Sequence, residues 1–309
     1  MQQWEHIIQQ RIKEVVPFRR NWLLRTGEGE WIAKEVTRPG HLKWWLRVDR
    51  ELRERGFHAM PPIYSDQNRW IITPRISGRD ADYRNREDLG KTAALLAHFH
   101  LVGYRLSTPR KDFSKHLLQR MVERLQDFSQ LLDQRRRITG KEGELLRTYG
   151  ESFYKAGVRA LKRVAKLPFS QLIYADGASH ALTHRDLASH NVLIDSQGRG
   201  WLIDFDTAGY DCQLGDLWQL LSRALTEQGW KRWVWNEILS QYERIRPLSS
   251  VESALLPELL AFPNEFYREF LGLVQEKRGY TLEKTLPYLE WIIKKRAAWK
   301  RMVQDLSYW

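Results

Sequence analysis

The spacing of apolar positions along the chain changes near residue 77. Ahead of it, Ile12–Val16, Trp22–Thr26 and Trp31–Val36 are short β-prone runs, the last two joined by Gly27-Glu-Gly-Glu30. Leu42–Arg55 reads instead as a helix ended by Gly56, and Leu42, Trp45, Val48 and Leu52 form its apolar face. Pro61–Tyr64 and Arg69–Thr73 return to extended structure, and Ile76-Ser-Gly78 reads as a connector. Beyond it the period is helical. Leu89, Ala93, Leu96 and His100 share one face, and amphipathic stretches follow near 115–135, 143–166, 214–226, 231–244, 252–261, 264–277 and 283–306. Ser249-Ser-Val-Glu252 has the form of a capping box. The pattern predicts an α+β chain of two lobes, a small β-rich one over 1–77 and a large helical one over 78–309.

One stretch in the second lobe breaks the helical period. Asn191–Ile194 and Trp201–Asp204 are short apolar runs separated by the turn residues Asp195-Ser-Gln-Gly198, a hairpin pattern. It brings Asn191, at the start of one strand, near Asp204, at the end of the other, with Asp186 in the loop ahead. The three lie in Leu182-Thr-His-Arg-Asp-Leu-Ala-Ser-His-Asn191 and Ile203-Asp-Phe-Asp206. Magnesium takes oxygen ligands, usually one or two protein groups plus phosphates and water, which suits Asn191 and Asp204. An Asp in the preceding loop can orient an attacking hydroxyl and accept its proton.

This segment resembles the His-x-Asp-x-x-x-x-Asn plus Ile-Asp-x-Asp pattern of the aminoglycoside-phosphotransferase-like kinases, which share the protein-kinase fold. Phe99-His-Leu-Val-Gly-Tyr104 and Leu260-Ala-Phe-Pro-Asn-Glu-Phe266 are similar to segments of the spore-coat protein S family within that group. The resemblance implies a bilobal protein-kinase-like fold and further site residues. Lys34, on the third strand, would meet the nucleotide phosphates; the other reading is an exposed strand lysine. Its acidic partner would come from the next helix, with Glu51 preferred over Glu54. Asp216 would brace the catalytic loop through backbone amides, cap its own helix, or both. His184 would be structural, and Asp206 would assist the metal or bind backbone.

Two departures from that family matter. Residues 1–26 contain no glycine, so the turn covering the phosphates, Pro17-Phe-Arg-Arg-Asn21, lacks a Gly-rich clamp, and Arg19 or Arg20 would supply charge instead. In the connector Pro74 has no N–H, so adenine recognition would fall on Arg75, Ile76 or their carbonyls.

Composition narrows the partners. Fifty Lys and Arg against 38 Asp and Glu give a net charge of +12, which raises nucleic acid as a partner. The cations are spread along helices and interleaved with Glu, and no zinc spacing or RNP-like strand accompanies them, so a basic surface drawing phosphate-bearing or acidic partners is preferred. Fourteen Trp fall mostly in periodic segments and read as core. A single cysteine, Cys212, excludes an intramolecular disulfide. Neither a signal peptide nor an apolar run near the ~18 residues of a membrane span is seen, so a cytoplasmic protein, or one deposited on the spore coat, is expected.

The expected function is an ATP- and magnesium-dependent phosphotransferase acting on a small-molecule hydroxyl, of a sugar or an amino alcohol. Only eleven residues separate Asp204 from Asp216 and no Ala-Pro-Glu follows, which is short for a regulated protein kinase. Tyr210, Trp218, Phe266, Tyr267 and Trp291 are candidates to line the acceptor pocket or to pack the core. The alternatives are a non-catalytic kinase-fold component of the spore coat, in contact with other coat proteins, and a basic nucleic-acid-binding module.

Overall fold

The computed structural model describes residues 2–110 and 115–306. A short helix, α1 (Gln2–Ile8), precedes strands β1 (Ile12–Phe18), β2 (Asn21–Thr26) and β3 (Glu30–Glu35). Helix α2 (Pro39–Glu54) follows, then β4 (Tyr64–Ser65) and β5 (Trp70–Pro74). These strands form one antiparallel sheet in the order β1-β2-β3-β5-β4. The turn after β1 is made by Arg19 and Arg20, with Arg19 in the left-handed region at φ 55°. Gly56 (φ +93°) lets the chain leave α2, and Phe57 N–H donates back to Leu52 O at 2.9 Å.

Helix α1 has no counterpart in the elements expected from the apolar pattern. Its two buried residues, Trp4 and Ile8, lie one turn apart, too few to display a period, yet they anchor the small core. That core consists of Trp4, Ile8, Ile12, Leu24, Trp31, Ala33, Trp70 and Ile72, with Trp4 set edge-on to Trp70 at 4.9 Å. Trp44, Trp45, Val48 and Leu52 of α2 do not join it. They pack into the large core with the C-terminal helices.

Strand β6 (Gly78–Asp80) opens the large lobe by pairing with β8 (Val192–Asp195), which pairs in turn with β9 (Gly200–Leu202). Between them run α3 (Arg86–Val102), α4 (Leu117–Asp133), α5 (Gly140–Val164), α6 (Phe169–Ala178) and the short β7 (Leu182–Thr183). After the hairpin, β10 (Gly209–Tyr210) pairs with β7, and α7 (Leu214–Glu227), α8 (Arg232–Glu243), α9 (Ser250–Leu260), α10 (Asn264–Val274) and α11 (Leu282–Leu306) complete the lobe. The two-lobed α+β arrangement expected from the apolar pattern is the one observed. Ser249 and Glu252 close the capping box that opens α9. No described helix is long and apolar enough to cross a membrane.

Between the lobes the chain passes hard against β8. A Cβ built on Gly78 would lie 2.5 Å from Ile194 O, and backbone on both sides leaves little room to yield. Gly78→Ala is expected to cost about 1–3 kcal/mol, read as a lowered midpoint in urea unfolding. An unchanged midpoint would show that the connector can move off the hairpin.

Candidate active site

Asp186 stands in the loop after β7, and that loop is shaped by one carboxylate. Asp216, on the first turn of α7 and 1% exposed, accepts from His184 N at 2.6 Å and Arg185 N at 2.8 Å. His100 Nε2 lies 3.2 Å from the same carboxylate, and His100 Nδ1 is 2.7 Å from the Tyr242 hydroxyl. Of the two roles open to Asp216, the brace is the one made. The N-cap of α7 is Gln213. Burial pushes the Asp216 carboxyl up, but His100, His184 and the backbone amides outweigh it and hold it below the usual range. Burial pushes His100 below its ordinary value, against the opposing pull of Asp216.

His184 has a structural place: its ring lies fully buried, with Nε2 2.9 Å from Ile203 O. The Asp186 carboxylate is half-buried between two partners. Oδ1 accepts from Arg223 Nη2 at 3.0 Å, and Oδ2 from Asn191 Nδ2 at 3.1 Å. Asn191 Nδ2 also donates to Asp186 O at 2.9 Å. With its NH2 group thus used, Asn191 has its amide oxygen left for another partner. Burial raises the Asp186 carboxyl, and Arg223, followed by His184 and His190, more than offsets it, leaving the group below the usual carboxylate range.

Across the hairpin Ile203 N–H donates to Asn191 O at 3.0 Å, so Asp204 follows directly beside Asn191. Asp204 is left-handed, φ 64° and ψ 68°, a turn that throws its carboxylate out of the strand. Lys34 of β3 reaches down from the small lobe, its Nζ 2.6 Å from Asp204 Oδ1 and 2.5 Å from Asp206 Oδ2. Burial would lower the Lys34 amine, but the two carboxylates override it and raise it above its ordinary value.

The expected partner of Lys34 is corrected by this arrangement. Glu51 turns away from the site and accepts from Ser107 N at 2.6 Å, Thr108 N at 3.0 Å, Thr108 Oγ1 at 2.8 Å and Arg55 Nη2 at 2.6 Å. The cause is the docking of α2: its apolar face lies on the large core, which aims Glu51 at the 107–108 backbone. Arg75 borders the cleft as expected, but its donors are already engaged. Its N–H donates to Glu30 O at 2.9 Å, its guanidinium pairs with the Glu30 carboxylate, and it lies over the Phe18 ring. Ile76 lines the same cleft, and its amide makes no hydrogen bond among the described residues.

These groups border one cleft of about 1040 Å³ between the lobes. Arg19, Arg20 and Lys34 line its small-lobe side, Ile76 the connector, and Asp186, Asn191, Asp204 and Asp206 its floor. Arg19 pairs with Asp80 at 3.2 Å. The aromatic residues considered for the acceptor pocket lie elsewhere: Tyr210, Trp218, Phe266 and Tyr267 are core residues, and Trp291 Nε1 donates to Thr226 O. In their place stand polar side chains of α4, α7 and α10, among them Arg124, Arg223 and Arg268.

Sequence reasoning missed Arg223, although a signal for it exists. Asp216, Gln219 and Arg223 interrupt the apolar pattern of α7 at spacings of three and seven, the stripe of one helix face. All three reach the loop, with Gln219 accepting from Leu187 N at 3.2 Å and donating to Arg185 O at 3.1 Å.

A family model described as the phosphotransferase enzyme family matches residues 18–246 of the 309. The chain belongs to that family. Its fold is shared with an aminoglycoside phosphotransferase from Alicyclobacillus acidocaldarius, at a TM-score of 0.83 and 18% identity over 98% of this chain and 94% of the other. A spectinomycin phosphotransferase, solved with ADP and spectinomycin, is similar at 0.65 and 10% over 96% and 98%. Choline kinase from Streptococcus pneumoniae is similar at 0.60 and 17% over 96% and 97%. The phosphotransferase family thus carries a protein-kinase-like bilobal fold here, with the cleft where the two lobes meet.

Asp216 supplies the test of how this site is held. Asp216→Asn keeps the volume but presents an NH2 to at least one of the amides it now accepts from. An unfolding free energy lower by about 3 kcal/mol is expected, since a buried donor is left without an acceptor. A loss under ~1 kcal/mol would mean the loop is held by other contacts.

Proposed function

We propose that this phosphotransferase-family chain transfers the γ-phosphoryl group of ATP to a hydroxyl of a small molecule. The supporting observation is the convergence on one cleft of Asp186, Asn191 and Asp204 from the loop and hairpin with Lys34 from the sheet. Asp186 is the proposed base. Arg223 keeps it ionised, Asn191 and Arg223 fix its two oxygens, and the acceptor hydroxyl would give up its proton to it as the oxygen attacks phosphorus.

Asn191 and Asp204 would hold a magnesium ion. Two oxygen donors from protein, with phosphates and water for the rest, match what magnesium takes, and the uncommitted amide oxygen of Asn191 fits that need. The ion would neutralise charge on the phosphates. Asp206, drawn to the same Lys34 amine, would assist. Lys34 would hold the phosphates from above, and Arg19 and Arg20 would add charge where a glycine-rich turn would otherwise supply amides. The Ile76 amide would meet the adenine edge, the Arg75 N–H being taken by Glu30.

In this reading the spore-coat protein S resemblance suggests a setting, a cytoplasmic enzyme associated with the coat. The shared segments at 99–104 and 260–266 are largely core residues and support family packing more directly than location. Turnover of the site distinguishes an enzyme from a coat scaffold. ADP with magnesium is expected to give saturable heat in calorimetry, and Asp186→Asn is expected to lower kcat at least about 100-fold while leaving that heat in place. Absence of nucleotide binding would favour the scaffold, and an unchanged rate would remove Asp186 from the mechanism.

The pH profile offers an independent check. With Arg223 present the Asp186 carboxyl is held low, so the base is ionised throughout the neutral range. In Arg223→Met burial acts without its main opponent and the carboxyl rises. The acid limb of kcat/KM is expected to move to higher pH; a limb that stays in place would mean that Arg223 does not tune the base.

A further inference from the structure

The half of the cleft away from the nucleotide connector is lined by cations. Arg120, Arg124, Arg223, Arg268, Lys277 and Arg278 all border it. Three are committed: Arg120 to Asp211 at 3.0 Å, Arg223 to Asp186 at 3.0 Å, and Arg268 to Glu265 and Glu269 at 2.6 and 2.7 Å. The other three have no carboxylate partner among the described residues. Arg124 donates only to the neutral Asn264 Oδ1. Lys277 and Arg278 stand exposed on the rim, in the segment after α10.

The chain's acids offset Arg120, Arg223 and Arg268 and leave Arg124 and the rim pair without an ion pair of their own. Beneath the cleft, Nε and Nη1 of Arg223 and Nε of Arg268 are buried without an acceptor. Burial, opposed by Glu265 and aided by Arg268 and Arg120, brings the Arg124 guanidinium down to about 10, so it remains charged at neutral pH. The acids lining this half are few. Glu123 is bound to Lys115 at 2.8 Å, leaving Asp127 exposed at the edge. Cations outnumber acids along this wall, and an excess of one sign focuses the field, so a cationic acceptor entering here would be repelled while an anion would be drawn in. Arginine is the side chain suited to clasping a carboxylate or a phosphate through paired N–H groups.

We propose that the acceptor carries an anionic group, carboxylate or phosphate, besides the hydroxyl that is phosphorylated, and that Arg124 with the Lys277–Arg278 rim recognises it. This rests on the phosphotransferase reading above. It adds a substrate class: an acidic sugar or a phosphorylated small molecule, held with its hydroxyl at Asp186 and its charge toward α4 and α10.

The test is calorimetry on the full chain, with and without ADP and magnesium, using glucuronate, glucose 6-phosphate and choline as probes. Saturable binding of at least one anion and none of choline is expected. Tighter glucuronate points to a carboxylate, and tighter glucose 6-phosphate to a phosphate. Arg124→Gln is expected to weaken the anion at least about tenfold, with ADP binding unchanged. The exposed double variant Lys277→Gln, Arg278→Gln carries the same expectation in smaller degree and does not disturb the core. Choline binding in place of the anions, no binding by either anion, or anion binding indifferent to both variants would overturn the proposal. Loss of ADP binding in the wild-type chain would strike the phosphotransferase reading instead, because the anion arm is read without nucleotide as well.

Discussion

A buried carboxylate that accepts two consecutive backbone amides is the contact on which the rest of this site depends. Arg185, which carries the second of those amides and directly precedes Asp186, sits at φ 67°, a region that costs a non-glycine residue roughly 1–2 kcal/mol. Asp216 takes the His184 and Arg185 N–H groups, and the Arg185 side chain reaches Thr183 Oγ1 at 3.2 Å and Tyr210 O at 3.0 Å. Those bonds hold the loop in a shape it would not keep alone. Asp204, the other carboxylate at the floor, is itself left-handed. Left-handed backbone therefore lies just ahead of Asp186 and at Asp204 itself, and at no residue of the strands between them.

The lobes divide less cleanly by packing than by sequence. Helix α2 precedes the connector, yet its ties run to the large lobe: Arg38 Nη2 to Asp206 O at 2.9 Å, His41 Nε2 to Ala208 O at 3.0 Å, Trp44 Nε1 to Pro109 O at 3.1 Å, and Glu51 to Ser107 and Thr108. Trp45 stacks on Phe205 at 4.5 Å, just beyond Asp204. The five-stranded sheet has its own core and meets the floor through fewer polar contacts, Lys34 with Asp204 and Asp206 and Arg19 with Asp80. Any opening of the cleft would cost least if the sheet moved and α2 stayed with the helices.

Much of this was legible because local chemistry and global fold agree. The hairpin follows from two apolar runs and a turn whose Gly198 adopts φ +75°, and the long helices follow from period and caps. Asp216 makes the brace that was among its expected roles. Glu51 misled, because position on a helix suggested Lys34, whereas its partners are decided by which core the helix docks on and by a loop distant in sequence. The acceptor side was illegible for a different cause. Arg124, Arg223 and Arg268 come from three helices, and in sequence each looks like a solvated charge. Only tertiary packing brings them to one wall.

The contact between Lys34 and the two carboxylates bears on how ligand enters. Asp204 and Asp206 lie close enough to share one amine, and two such charges without a cation between them would repel. Lys34 fills that need from the opposite lobe, and in doing so holds the sheet against the floor. A nucleotide bringing its own cation would relieve the carboxylates and offer Lys34 its phosphates, so the lysine could change partners with no change in the number of ion pairs. Removing Lys34 would then act on two states at once: the floor would lose its counter-charge without ligand, and the phosphates would lose theirs with it. Its position above Asp204 is thus called for by the folded chain's own charges, whatever part it takes in the proposed chemistry.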